Sequence, residues 1–369
     1  LAVSGRVLFG GSNLRGAEGL PSSNIFELPP DSDGPALEVG DCPSQNADRF
    51  GKRSRSISES ANNADEETHQ NKKGCGQKNF SKITLEERIE KMFKKFPCTP
   101  ISNICKTQQW LSERDFRYIR DNNKRYQDVM DVLSNEIIPY SIRQFTDMYR
   151  KPGCYPLFAM PRGINETVVK DDNGAEKIVP YYLSDEDTLE SLSKLLDFQT
   201  KNNTSTFLRT LVNILDKRIP KLNTMFVYAP PSSGKNFFFD FVLNFFLIRG
   251  QLMNIRKGES FPYMDCVDRR VIMFNEPNIC ESPSTMDTLK MLFGGDFCPA
   301  AVKFKSPTIV YRTPVFILTN DCMLFRNVPA FADRMVKYEW EAAPFLKSYQ
   351  SYPHPKMFPA LLEKYNVEY

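Results

Sequence analysis

The chain has 369 residues, 41% of them hydrophobic, with 48 Lys and Arg against 45 Asp and Glu for a formal net charge of +3. That is room for one sizeable core plus accessory parts, and the charge is too mild for a surface coated in basic groups, so contact with nucleic acid is expected in a confined channel. No run of eighteen apolar residues occurs, the nine cysteines form no Cys-x-x-Cys pair, and the only histidines are His69 and His354, so no membrane span, zinc site or disulfide framework is expected, and a reducing compartment fits.

In chain order, residues 1–80 read as a disordered tail. They hold no Tyr or Trp and only four of the 28 Phe, among clusters of Ser, Asn, Gly, Pro and charge. Within them Gly51-Lys-Arg-Ser-Arg-Ser56 reads either as a nuclear-import or nucleic-acid patch or as ordinary solvated charge. The opening Leu1, with no signal-peptide pattern after it, reads as the start of a fragment. Order is expected from Thr84-Leu-Glu-Glu87, a capping box, with Leu85, Ile89, Met92, Phe93 and Phe96 on one helical face until Pro97. Helical texture continues over 111–138, a hairpin is expected over 168–179 around Asn173-Gly174, and Ser184 caps a helix bearing Leu189, Leu192, Leu195 and Leu196. Thr206 to Ile219 is a third amphipathic stretch. These stripes over 81–204 serve as core, as a helical collar joining copies of the chain, or as both.

The chemistry is concentrated further on. Met225-Phe-Val-Tyr228 reads as a buried strand, Ala229-Pro-Pro-Ser-Ser-Gly-Lys-Asn236 as a phosphate-cradling loop, and Phe237 to Ile248 as the helix that follows. In such a loop (Ala229, Pro230, Pro231, Ser232, Ser233, Gly234, Lys235 and Asn236) backbone N–H groups wrap a triphosphate, the helix dipole adds attraction, and Lys235 reaches the β- and γ-phosphates. Ala229 stands where a first Gly is usual, and Asn236 where a Ser or Thr hydroxyl usually meets magnesium. A second apolar strand, Arg270 to Glu276, ends in a carboxylate suited to holding Mg2+ and orienting water. Leu289 to Asp296 closes a helix on Gly294-Gly295. Ala301 to Arg312 reads as a hairpin turning at Ser306-Pro307, with Lys303 and Lys305 on one face of its first strand, placed either to grip phosphates or to guard a sheet edge. A third strand, Pro314 to Asn320, ends in an amide where a sensor of the γ-phosphate would sit.

The runs Phe261 to Pro277, Leu292-Phe-Gly-Gly-Asp296, Val302 to Ser306 and Thr313 to Asn320 resemble the superfamily 3 helicase domain of the parvovirus large non-structural replication protein, and the Gly-Lys-Asn and Asn-Glu-Pro strings resemble its densovirus branch. The resemblance is strong over 205–340, weaker over 100–204 and absent over 1–80. It implies ATP and Mg2+ as cofactors, Lys235 on the phosphates, Glu276 as catalytic acid, Asn320 as sensor, and Lys303 and Lys305 on single-stranded DNA. Arg334, in Ala332-Asp-Arg-Met-Val-Lys-Tyr338, becomes the candidate arginine finger. The family often has two acids at the second strand. Here Asn275 precedes Glu276, so the implied metal set is Asn236, Asn275 and Glu276, acting through water or carbonyl oxygen.

The fold expected is a three-layer α/β P-loop ATPase domain of the AAA+ type over 205–345, behind a disordered tail (1–80) and a helical accessory region (81–204), with a C-terminal tail over 346–369. The function implied is an ATP-dependent DNA helicase for replicating a viral single-stranded DNA genome. It would run 3′→5′ as a ring of copies, a hexamer, in the host nucleus without membrane attachment. Two alternatives stay open: a binding relic weakened by Asn236 and Asn275, and a P-loop ATPase of another class. With two histidines no His-hydrophobic-His nuclease strand can be built, so nicking is not expected from this chain.

Overall fold

The computed structural model describes residues 83–158, 166–170, 176–256, 258, 261–303, 306–321, 325 and 328–369. The tail expected over 1–80, with its basic cluster and His69, lies outside them.

Helix α1 (Leu85–Lys95) starts at the expected capping box: Thr84 Oγ1 accepts from the Glu87 N–H at 3.2 Å, and the Glu87 carboxylate accepts from the Thr84 N–H at 2.9 Å. Its buried face is Ile89, Met92 and Phe93. The helical stretch expected over 111–138 is broken into α2 (Gln108–Ser112) and α3 (Lys124–Ile137). The turns between them wrap the buried Trp110, which stacks on Phe116 at 4.6 Å and donates its indole N–H to Ile119 O at 3.3 Å. Asn123 then restarts the helix by accepting from the Tyr126 N–H. After α4 (Ile142–Arg150), β1 (Glu166–Lys170) and β2 (Glu176–Pro180) pair antiparallel with Val168 opposite Ile178, one residue away from the register of a two-residue turn at Asn173-Gly174, which would set Val168 opposite Val179. The turn expected at Asn173-Gly174 lies outside the described residues.

Ser184 caps α5 (Asp185–Thr200), and α6 (Thr204–Leu215) follows. Next come β3 (Thr224–Tyr228), α7 (Lys235–Asn244) and β4 (Arg249–Gln251). The helix expected to run to Ile248 stops early because Leu247 takes a left-handed φ of 56°, and the released chain adds β4 to the sheet. The series continues with β5 (Val271–Asn275), α8 (Pro283–Gly294), β6 (Cys298–Ala300), β7 (Thr308–Val310), β8 (Val315–Thr319) and β9 (Met335–Glu339).

Five of these strands form one parallel sheet in the order β4-β5-β8-β3-β9. Period-2 alternation divides its side chains between two cores. Met225, Val227, Met273, Phe316 and Leu318 face α7 and the earlier helices, whereas Phe226, Ile272, Phe274, Val315 and Ile317 face the side of α8. A parallel sheet covered on both faces is the three-layer arrangement expected from three nearly continuous apolar strands.

The described residues belong to one compact unit. One apolar cluster runs from Ile89 through Leu196, Leu211 and Phe239 to Val367, so the helical region and the sheet share a core across 204–205. The segment expected as a C-terminal tail is folded: α9 (Phe358–Lys364) buries Phe358, Leu361 and Leu362 in that same core.

The amino ends of the strands are tied to the helical region by Arg270, which is 2% exposed just before β5. It donates to Tyr140 O at 2.8 Å, Leu215 O at 2.6 Å and Asp216 Oδ1 at 3.0 Å, with Phe246 beneath it at 4.7 Å. Burial pushes Asp216 above the usual carboxylate range, although Arg270 opposes this, and pulls Arg270 down to about 10. The pair is therefore poor as a net source of stability but costly to break. Arg270→Ala should lower unfolding stability by about 3 kcal/mol, because it leaves the buried Asp216 with only the Ile142 N–H and the looser Arg218 contact, and leaves the carbonyls of Tyr140 and Leu215 without this donor. Arg270→Ala with Asp216→Leu should recover much of the loss. Urea denaturation of both variants measures this.

Candidate active site

Parallel register brings three strand ends to one edge. Tyr228 lies beside Thr319 and Asn275 beside Leu318, so the residues that follow (Ala229, Glu276 and Asn320) emerge together. The loop after β3 returns over this edge and enters α7 at Lys235, with Gly234 as N-cap. No side chain caps that helix, so its leading amides remain directed at the loop's concavity. The left-handed positions of the loop are Ser232 (φ 61°) and Gly234 (φ 83°), not Ala229, which is fully buried. The absent first glycine is therefore no conformational loss. Gly234 is the loop position least free to change, since any other residue would carry a strained φ and its Cβ would press on the side chains of Leu346 and Leu195.

Lys235 is the centre of the site. Its side chain is 9% exposed, and its ammonium is satisfied from all three strand ends: Glu276 Oε1 at 2.7 Å, Asn320 Oδ1 in close contact, and Ala229 O at 3.4 Å. Glu276 also accepts from the Asn320 N–H at 3.1 Å through Oε2. It adopts φ 46°, a strained conformation for a non-glycine residue and of the kind that concentrates at functional sites. That turn off β5 aims the carboxylate at Lys235 while leaving 44% of its side chain exposed. Residues Pro230 to Phe237, Glu276 and Asn320 line a cavity of about 300 Å³, which holds the whole expected loop beyond Ala229.

Among the expected metal residues, Asn236 and Glu276 line this cavity and Asn275 does not. Asn275 Oδ1 is nevertheless buried without a hydrogen-bond partner, as is Ser233 Oγ in the loop. The donor set of one carboxylate and amide oxygens suits a hard cation that keeps several waters.

Two expected groups lie elsewhere. Arg334 precedes β9 at the amino edge of the sheet, where its carbonyl accepts from the N–H of Asn223 and of Thr224. Its half-buried guanidinium donates to Lys290 O at 3.0 Å and to Ala330 O, against the glycine surface of Gly294. The five residues of β3 separate it from its own phosphate loop, on the order of 17 Å. Lys303 follows β6 in the loop toward β7, not on a strand as the alternation implied. Strand β6 stops at Ala300 and β7 begins at Thr308: Cys298, Ala300 and Val310 are buried, while Ala301, the first residue after β6, is exposed. Lys305 lies outside the described residues.

Sequence reasoning missed Gln199 on α5. It donates to Ser233 O in the loop at 2.9 Å and to Glu341 O at 2.7 Å. The available signal was a glutamine where the leucine stripe of α5 predicts an apolar residue, one turn after Leu195 and Leu196.

The family profile described as parvovirus non-structural protein NS1 matches residues 181–328. The initiator protein NS1 of Junonia coenia densovirus is 34% identical over 290 residues, covering 77% of this chain and 51% of that protein. Its counterpart from Bombyx mori densovirus is 36% identical over 195 residues, covering 50% of this chain and 22% of that protein. A JCV helicase crystal structure aligns with a TM-score of 0.44 and 12% identity, covering 64% of this chain and 67% of that one.

The Lys235–Glu276 pair, with the lysine buried and the carboxylate half-exposed, predicts an asymmetry in stability. Lys235→Met should be within about 1 kcal/mol of wild type, since it removes a desolvated charge. Glu276→Ala should cost about 1–2 kcal/mol by leaving the ammonium short of an acceptor. Urea titration of the nucleotide-free proteins tests it.

The chain spans about half the length of the first relatives it matches, and its residues 181–328, which hold the 229–236 loop and the three strand ends, match the parvovirus non-structural protein NS1 family.

Proposed function

We propose that this chain is the ATP-driven motor of a viral replication initiator, a superfamily 3 DNA helicase that moves 3′→5′ on single-stranded DNA as a ring of copies, expected to be a hexamer, in the host nucleus. The observation that carries this reading is the convergence of Lys235, Glu276 and Asn320 on one cavity at the carboxyl edge of a parallel sheet.

In this reading ATP is the substrate, and its phosphates lie against the amides of Ser233, Gly234 and Lys235. They compete with Glu276 for the ammonium of Lys235. Glu276, once released, accepts a proton from water as the water oxygen attacks the γ-phosphorus. The bond to the bridging oxygen breaks, and ADP leaves with the electron pair. Mg2+, held through Glu276 and the amide oxygens of Asn236 or Asn275 by way of water, would neutralise phosphate charge. Asn320, bonded to both Lys235 and Glu276, is placed to register whether the γ-phosphate is present.

The position of Arg334 supports assembly. It lies too far from its own cradle to touch the nucleotide there, so a finger role requires a second copy whose cradle faces this amino edge. Arg334→Ala should retain ATP binding and lose about 10³–10⁵ in rate, the range for such fingers in phosphoryl transfer. Lys235→Ala should abolish hydrolysis. Mixed Arg334→Ala and Lys235→Ala proteins, shown to exchange subunits, should regain part of the activity that each lacks alone. No recovery at any ratio would mean that Arg334 does not act across subunits.

DNA contact is assigned to Lys303, in the loop after β6, and to Lys305. Lys303→Ala with Lys305→Ala should weaken single-stranded DNA binding and flatten its log–log salt dependence by about 0.7 per lost phosphate contact. ATP affinity should stay unchanged. An unchanged slope would leave these lysines as edge guards and remove the pore assignment. Steady-state turnover with and without single-stranded DNA separates the alternatives: no turnover favours a binding relic, and turnover indifferent to DNA favours another P-loop class.

A further inference from the structure

The loop that lines the cavity is braced from behind by groups that no phosphate would touch. Gln199 is 8% exposed at the end of α5, and its side-chain amide is fully used. One N–H donates to Ser233 O at 2.9 Å, the other to Glu341 O at 2.7 Å, and Oε1 accepts from the Glu341 N–H at 2.8 Å. Two residues further on, the Ala343 N–H donates to Ser232 O at 2.9 Å. Two successive carbonyls of the loop are thereby held from the outer side, one by a glutamine side chain and one by the strip after β9.

In a planar trans peptide the C=O and the next N–H point in opposite directions. Holding Ser232 O outward therefore turns the Ser233 N–H inward, and holding Ser233 O outward turns the Gly234 N–H inward. Those two amides, with that of Lys235, are the ones an anion at the start of α7 would meet. Oriented donors that need no rearrangement bind more tightly than donors that must first be ordered. Gly234 at φ 83° adds nothing to hold its own peptide plane, since glycine crosses that region freely. The plane must be fixed from outside.

We propose that Gln199 is a positioning residue for the nucleotide, which sets the direction of the Gly234 amide and locks the phosphate loop to the strip at residues 341–343. This rests on the reading of the cavity as a nucleotide site and adds to it a residue on a helix outside the motif region. Because the cradle amides bind phosphates in ground and transition states alike, the effect belongs to binding and not to the chemical step.

The test is ADP binding by titration calorimetry to the full chain carrying Gln199→Met, which keeps the unbranched length and removes all three hydrogen bonds, at a temperature well below its unfolding transition. The expected result is a Kd weakened about tenfold, the effect of one well-made hydrogen bond. KM for ATP should rise in parallel, with kcat at saturation within about twofold of wild type. A lowered melting temperature with unchanged Kd and KM would make Gln199 a packing residue and overturn the proposal. Should the Met variant not fold, Gln199→Asn, which keeps the polar group but withdraws it by one methylene, must show the same weakening, and wild-type affinity in it would likewise overturn the proposal. If the unmutated chain itself fails to bind ADP, the nucleotide reading falls instead.

Discussion

The structure turns on one ammonium group. Lys235 is removed from water at the start of a helix, in a protein interior where an unpaired charge is not tolerated. Its three acceptors come from three different strands: Ala229 after β3, Glu276 after β5 and Asn320 after β8. The register of the sheet sets these three strand ends level, and the one ammonium bridges all of them. The strained φ of Glu276 is tolerated because a regular continuation of β5 would not deliver the carboxylate to this point.

That arrangement gives the sheet two edges with different chemistry. The carboxyl edge carries the cavity and the lysine, whereas the amino edge carries Arg334 and the buried Arg270–Asp216 pair. Between them lie strands covered on both faces, close-packed by two separate apolar clusters. Such a layer deforms little, so a change at one edge moves the body of the domain with it. Under the motor reading, ATP at one edge and a neighbouring copy at the other would be joined by this stiff layer. The helical region is fastened through Arg270 to the same layer and shares its core.

The parts of this arrangement readable in sequence are those governed by short-range rules. The capping box at Thr84, the Gly295 stop of α8 with φ 74°, and the three apolar strands with polar ends each depend on neighbours within a few residues. Lys235, Glu276 and Asn320 could be named because a parallel strand fixes the side of the sheet on which its last residue emerges. What was not readable depends on distant partners. Nothing near Arg270 announces that it will meet Tyr140, Leu215 and Asp216, and nothing near Gln199 announces Ser233 and Glu341. The alternation of Lys303 and Lys305 with apolar neighbours imitates a strand after Ala301, whereas the strand that pairs with β7 is β6, which ends at Ala300. The seven-residue α9 was missed because so short a helix is held by its core contacts and not by its own propensity.

The central claim is that Lys235 and the loop amides recognise the distal phosphates of a nucleotide. Calorimetric titration of the nucleotide-free chain with ATP, ADP, AMP and adenosine in the presence of magnesium tests it most directly. Affinity should fall steeply from ATP and ADP to AMP and be lost for adenosine, since the cavity offers its donors to phosphate. AMP or adenosine binding as tightly as ATP would contradict it, and would locate recognition away from Lys235.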